Sequence, residues 1–221
     1  MINIVLNRDC LDAMREMEDN TFDLAVVDPP YGIGGDSLHA NRSCKKNRLH
    51  GAGQLRHRIL NTARTDWDVA PTQDYFDELL RVSKNAIIWG GNYFGLPRCR
   101  CFICWDKVQP WPNFSQCEYA WTTFDQPAKM FRYDNREGGK IHPTQKPVAL
   151  YDWIFKTFAK PGMKCLDTHI GSGSSRIAAY KAGLDFIGYE IDKDYFEAQE
   201  RRFANALNGT DECGENQLKL F

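Results

Sequence analysis

The sequence predicts a doubly wound α/β sheet, mostly parallel, in one domain. Three observations predict it. Short apolar runs rich in β-branched residues, Phe22–Val27 and Ala86–Trp89, read as strands buried on both faces. These runs alternate with segments of helical period. Two of the strands feed directly into Pro-rich or Gly-rich loops, where such sheets hold their ligands.

The elements follow in order. Ile2 to Leu6 reads as a short strand, and Cys10 to Met17 sets Leu11, Met14 and Met17 on a helical period. The strand Phe22–Val27 comes next. Residues 32–65 show no periodicity and are rich in Gly, Asn, Arg and Ser, which predicts a long mobile loop. Pro71 and Thr72 open a helix whose apolar face is Tyr75, Phe76, Leu79, Leu80 and Val82. After Ala86–Trp89 and Gly90-Gly91, strands are expected at 101–105 and 117–122, with a hairpin partner near 128–133. Val148 to Phe158 is helical, Lys164–Asp167 is a strand, and Ser174 to Lys181 is helical. Phe186 to Glu190 is a further strand, and Asp192 caps a last helix to about Leu207. The expected organisation is a single domain over 1–207 and a flexible tail over 208–221.

The 221 residues are 43% hydrophobic and carry 28 basic and 29 acidic side chains, a net charge of −1. Global disorder and collagen-like sequence are excluded, and no apolar run approaches the roughly 18 residues of a membrane span. The first ten residues show no basic start followed by an apolar stretch, so no signal peptide is expected. The eight cysteines are scattered, which fits a reducing cytoplasm. Cys99, Cys101, Cys104 and Cys117 lack two paired C-x₂-C knuckles, and the run Cys101–Asp106 reads more simply as a strand with buried thiols. No metal is expected.

The near-zero charge is unevenly placed. Within 36–65, Arg42, Lys45, Lys46, Arg48, Arg56, Arg58 and Arg64 stand against Asp36 alone, a local +6 that leaves −7 elsewhere. A solvated surface loop could carry such charge. So could a surface that meets phosphates.

Two loops carry chemistry. Asp28-Pro29-Pro30-Tyr31 follows the second strand directly. The prolines stiffen the turn and remove two backbone donors while their carbonyls stay free to accept. A carboxylate at one lip and an aromatic ring at the other make a cup suited to an exocyclic amino group on a flat base. The plainer alternative is a strand-end turn with a capping Asp. The second loop, Asp167-Thr-His169-Ile-Gly171-Ser172-Gly173-Ser-Ser175, lies between a strand and a helix. Its glycines allow close backbone approach, and the helix offers free N–H groups. Glu190 ends the next strand, where an acid can bind ribose hydroxyls. The loop fits neither the dinucleotide fingerprint nor the phosphate loop that ends in Gly-Lys.

Together with His142-Pro-Thr144-Gln-Lys146-Pro147, these motifs resemble the S-adenosylmethionine-dependent amino-group DNA methyltransferases. The catalytic motif precedes the cofactor loop, as in the circularly permuted β class, and the resemblance runs from about residue 2 to 205. It implies a Rossmann-like methyltransferase sheet. It also implies that Asp28, Pro29, Pro30 and Tyr31 hold the target base, flipped from the duplex. Asp167, Glu190 and the loop residues Gly171, Ser172 and Gly173 would bind S-adenosylmethionine, Asp28 would border it, and Thr144 and Lys146 would flank its methionine end. Asp9-Cys10 resembles the segment near the cofactor adenine. Where the family has Pro-Phe after the loop Asp, this chain has Thr168-His169-Ile170. His169 then either replaces the Phe contact or serves as a hydrogen-bonded loop residue.

An Asp at the head of the cup implies adenine N6 as acceptor. Cytosine N4 is the alternative, and a non-catalytic, clamp-tethered DNA-binding protein is another. No Pro-Cys dipeptide occurs, which disfavours carbon-5 chemistry. The resemblance implies a double-stranded DNA partner, a homodimer and a bacterial or phage-encoded cytoplasmic enzyme of the restriction-modification kind. The last residues, Gln217-Leu218-Lys-Leu220-Phe221, resemble the peptide by which bacterial replication proteins bind the sliding clamp. A terminal segment that folds back on its own core is the alternative.

Overall fold

The computed structural model describes residues 1–33, 68–109, 115–134, 140–142 and 144–209. Within them, eight strands form one sheet: β1 (Asn3–Leu6), β2 (Leu24–Val27), β3 (Ala86–Trp89), β4 (Phe102–Asp106), β5 (Cys117–Thr122), β6 (Lys129–Arg132), β7 (Lys164–Asp167) and β8 (Asp185–Tyr189). The helices are α1 (Cys10–Arg15), α2 (Gln73–Val82), α3 (Val148–Phe158), α4 (Ser174–Lys181) and α5 (Lys193–Leu207), with a 3-10 turn at Gly91–Tyr93.

The strand order is β1-β8-β7-β2-β3-β5-β4-β6. Every neighbour pair from β1 to β3 is parallel, β5 is antiparallel to both β3 and β4, and β6 is parallel to β4.

The continuous apolar runs are explained by cover on both faces. Leu24, Val26, Ile87 and Trp89 join one core with Leu150 and Ile154 of α3 and Ala178 of α4. Their neighbours Ala25, Val27, Ala86 and Ile88 point the other way, into Met14 of α1 and Tyr75, Phe76, Leu79 and Val82 of α2. A strand with helices on both sides has no polar face to show, so its period-two signal disappears.

Helix caps account for several boundaries. Asp9 caps α1 by accepting from Asp12 N, and Asp192 caps α5 by accepting from Asp194 N and Tyr195 N. Thr72 precedes α2 in extended conformation, so the helix starts at Gln73, one position beyond the expected opening pair. The strand expected from Phe22 begins at Leu24, and Phe22 makes only an isolated bridge to Ser83.

One expectation is corrected. The segment near 128–133 is not the hairpin partner of β5. Both edges of β5 are already taken, by β3 and β4, so β6 pairs with the outer edge of β4 and does so in parallel.

Candidate active site

Because β2, β3, β7 and β8 are parallel, their carboxyl ends share one edge of the sheet, and the loops leaving them meet there. Asp28 leaves β2, Gly90 leaves β3, Asp167 ends β7 and Glu190 follows β8. The antiparallel β5 starts at the same edge, which brings in Glu118: Gly90 N donates to Tyr119 O at 2.9 Å. These loops enclose a cavity of about 660 Å³.

On one wall, both oxygens of Asp28 are engaged. Tyr31 Oη donates to Oδ1 at 2.8 Å, and Lys146 Nζ binds Oδ2. The same ammonium lies 3.1 Å from Glu118 Oε2, and Glu118 Oε1 pairs with Lys107. The Lys146 side chain is only 4% exposed and stands 5.3 Å from the centre of the Trp89 ring. Burial pushes the Asp28 carboxyl above its usual range, with Lys146 opposing. Burial acts on Glu118 in the same sense, but Lys146 and Lys107 outweigh it and hold that carboxyl down at about 2. Lys146 is kept protonated: burial works against its charge, and the two carboxylates more than compensate.

Tyr31 is fixed by its neighbours. Its ring stacks on Tyr93 at 5.0 Å and meets Phe94 edge-on at 6.2 Å. Beneath it lies Gly90, at φ +69°, where a Cβ would come within 2.2 Å of the ring. Only glycine satisfies both demands there.

The opposite wall is the loop after β7. Asp167 is 2% exposed and turned under that loop, where it accepts from Ser175 Oγ at 2.5 Å and His169 N at 3.0 Å. Burial pushes its carboxyl up to about 7, although both hydrogen bonds oppose the shift. Thr168 Oγ1 joins Tyr75 Oη at 2.6 Å and His169 Nδ1 at 2.9 Å, so His169 is a hydrogen-bonded loop residue that also lines the cavity. Burial pulls the His169 ring down to about 4, which keeps it neutral. Glu190 accepts from Gly171 N at 2.9 Å through one oxygen and from Asp192 N at 3.0 Å through the other. Arg202 of α5, 5% exposed, donates to Ser172 O and Ser174 Oγ and braces the loop from below.

The segment ahead of α3 closes the cavity from the side. Thr144 N and Oγ1 both meet His142 Nδ1, and the His142 ring lies 4.4 Å from that of Tyr195. Burial drives the His142 ring down to about 4. Gln145 Oε1 accepts from Ile141 N, which shapes the turn leading to Lys146.

Asp28, Pro29, Pro30, Tyr31, Thr144, Lys146, His169, Gly171, Ser172 and Glu190 thus face one cavity. Four of the expected site residues do not. Asp167 supports the loop from beneath, Gly173 is the left-handed residue that begins α4, and Asp9 caps α1. Cys10 is mostly buried, with its thiol pushed up to about 12 by burial and by Asp9. Lys146 lines the cavity, but its ammonium is held by two carboxylates. Arg42, Lys45, Lys46, Arg48, Arg56, Arg58 and Arg64 lie outside the described residues, as do Gln217, Leu218, Leu220 and Phe221.

Glu118, Lys107, Gly90 and Arg202 were not singled out from sequence. Glu118 left one trace, a carboxylate inside the otherwise uncharged strand Cys117–Thr122.

The sequence matches the DNA methylase family N6_N4_Mtase over residues 88–201. That span holds the His142–Pro147 segment, the loop after β7 and Glu190; Asp28 precedes it. The chain is similar to the type II methyltransferase M.HpaI of Haemophilus parainfluenzae, 24% identical over 249 residues, covering 95% of this chain and 76% of that protein. Its fold is similar to that of the M1.HpyAVI–SAM complex, with TM-score 0.59 at 18% identity, covering 91% of this chain and 100% of that one. It is also similar to that of the cytosine-N4-specific PvuII DNA methyltransferase, with TM-score 0.58 at 12% identity, covering 96% of this chain and 94% of that one. The sheet is therefore the mostly parallel, Rossmann-like sheet of those neighbours.

Proposed function

The chain belongs to the N6/N4 DNA methylase family, and from that premise we propose that it transfers a methyl group from S-adenosylmethionine to N6 of adenine in DNA. The observation that carries the reading is the shared cavity. The Asp-Pro-Pro-Tyr turn after β2 and the glycine loop after β7 open into one space, although 138 positions separate their carboxylates Asp28 and Asp167 in the chain.

The residues present fit the cofactor. The cavity lies within the roughly 300–1,000 Å³ typical of small-molecule sites. Each Glu190 oxygen takes one backbone N–H, which leaves a second lone pair on each for a ribose diol. Gly171, Ser172, His169 and Thr144 border the same space. When bound, the cofactor supplies an electrophilic methyl on a sulfonium.

The chain's own residues prepare the acceptor. An exocyclic amine is a poor nucleophile because its lone pair is delocalised into the ring. Asp28 accepts one N–H and the Pro29 carbonyl the other, which favours a pyramidal nitrogen and localises that pair. Tyr31, clamped by Tyr93 and Phe94, presents an aromatic surface to the base. The gain comes from positioning and from charge placed in advance. As the N–C bond forms, the nitrogen becomes acidic and Asp28 is placed to take its proton. The neutral His142 and His169 add no positive charge beside a sulfonium.

Adenine is favoured by the Asp at the head of the cup, as the motif resemblance implies. Fold likeness to a cytosine-N4 enzyme makes N4 the second reading. Mass analysis of nucleosides from methylated DNA separates them: N6-methyladenine is expected, and N4-methylcytosine alone refutes the assignment. Asp28→Ala should abolish transfer and retain cofactor binding; undiminished transfer sinks the role of Asp28.

The basic run Arg42–Arg64, which follows the cup in sequence, supports contact with DNA phosphates, and the 217–221 peptide supports a sliding-clamp partner. Among the described residues no helix is long and apolar enough to cross a membrane. A bacterial or phage restriction-modification enzyme working in the cytoplasm accounts for these features together.

A further inference from the structure

We infer that Lys146 holds the place of the target amino group on Asp28, and that Glu118 is the second seat to which it withdraws when the base arrives. The inference deepens the proposed function and rests on it, because it requires Asp28 to receive an amine.

The geometry is one of competition. Asp28 has two oxygens and both are taken, Oδ1 by the Tyr31 hydroxyl and Oδ2 by the Lys146 ammonium. An incoming amino group must share one of them with the donor already there, and an ammonium on that oxygen repels the positive charge that develops on the amine as it is methylated. Tyr31 cannot readily yield, since its ring is pinned between Gly90, Tyr93 and Phe94. Lys146 can, because an ammonium carries three donors and already lies 3.1 Å from Glu118 Oε2. A small swing about its last bonds transfers it from one carboxylate to the other.

Without Glu118 that swing would strand a buried cation, which is costly. With Glu118 the charges balance in both positions. Asp28 and Glu118 supply two negative charges, and Lys146 and Lys107 supply two positive ones. Lys107 occupies the other oxygen of Glu118 and so anchors the second seat. Glu118 is therefore a positioning residue, acting on the reaction through Lys146. In the resting protein the ammonium supplies the positive charge that the buried Asp28 carboxylate, hydrogen-bonded otherwise only to the neutral Tyr31 hydroxyl, would lack.

The test is a cycle of full-length chains: wild type, Glu118→Gln, Lys146→Met and the double variant. Cofactor binding by calorimetry verifies that each is folded. Single-turnover methyl transfer is then measured on plasmid DNA free of amino-methylation. Glu118→Gln pins Lys146 on Asp28 and should slow transfer about tenfold or more, with cofactor affinity unchanged. Adding Lys146→Met should restore part of that loss, because it removes the placeholder. A double variant as slow as Glu118→Gln, or Glu118→Gln at the wild-type rate, overturns the inference while leaving the proposed function standing. Wild type that transfers no methyl to DNA overturns the proposed function instead. The two seats are checked without any transfer by lysine-selective nitrogen NMR of the free protein. The Lys146 Nζ signal should move in both Asp28→Asn and Glu118→Gln, and a shift in only one of them overturns the two-seat arrangement.

Discussion

Replacing Gly90 by alanine should damage stability and activity together, and the structure sets the size of each effect. Gly90 sits at φ +69°, where an L-residue pays about 1–2 kcal/mol. Its new Cβ would lie 2.2 Å from Tyr31 Cε1, closer than any real contact, so the ring must move by about 1 Å. The ring has nowhere to go, because Tyr93 is stacked on it at 5.0 Å and Phe94 meets it at 6.2 Å. Overpacking of this kind adds about 1–3 kcal/mol. The total is about 2–5 kcal/mol. Any displacement of the ring also pulls the Tyr31 hydroxyl off Asp28, a 2.8 Å bond. Gly162 supplies the control: it sits at φ +81° with nothing within 4 Å of a new Cβ, so Gly162→Ala carries the conformational strain alone. Urea unfolding of both variants isolates the steric part, and single-turnover transfer reads its effect on the cup. Equal stabilities for the two variants, with Gly90→Ala transferring methyl at the wild-type rate, would refute the reasoning.

Other outcomes follow from the same contacts. Asp167 has its carboxyl raised from 3.8 to about 7, so its contribution to stability is present below about pH 4 and is lost as pH rises through 7. Asp167→Asn removes that titration, and the stability of wild type relative to the variant should fall across this window by an amount on the order of 4 kcal/mol. His142 and His169 are depressed to about 4 and act in the opposite sense, stabilising above the ordinary histidine range, but they are common to both proteins and cancel. A relative melting temperature that does not change with pH would count against a buried, raised Asp167. Neutralising Arg56 and Arg58 should weaken DNA binding and make its salt dependence shallower by nearly two counterions, read from log Kd against log salt. Deleting residues 217–221 should abolish binding to a bacterial sliding clamp in a pull-down while leaving methyl transfer intact. Unchanged clamp binding ends that idea.

The parallel half of the sheet was readable in advance because burial on both faces writes itself as an uninterrupted apolar run. β3, β7, α3 and α4 begin and end where composition, Pro147 and the glycine loop say they should. The β5–β4–β6 edge was harder. Which strand Lys129–Arg132 joins depends on the edges already filled, and that is a property of the assembled sheet. The same distinction divides the site. Asp28 and Glu190 stand at strand ends, a position that local sequence reveals. Glu118 matters because β5 runs antiparallel to β3 and delivers its start to the same edge, and Gly90 because the Tyr31 ring, remote in sequence, lies against it. Asp167 reads as a ligand contact from its motif, yet Ser175 and the His169 amide turn it inward.

The pairing of β2 with β7 has a kinetic consequence. Asp23 and Lys164 exchange backbone and side-chain hydrogen bonds although they stand 141 positions apart in the chain. Closing so long a stretch of chain is entropically slow, and contacts this distant in sequence form late. While the chain is being synthesised, the strand that bears Asp28 is complete long before its neighbour β7 exists. Through that interval an apolar, two-sided strand has an open edge, the kind of surface on which chaperones act. The cup rests on β3 and its following turn, but the cavity it shares with the cofactor loop is complete only once β7 has docked beside β2.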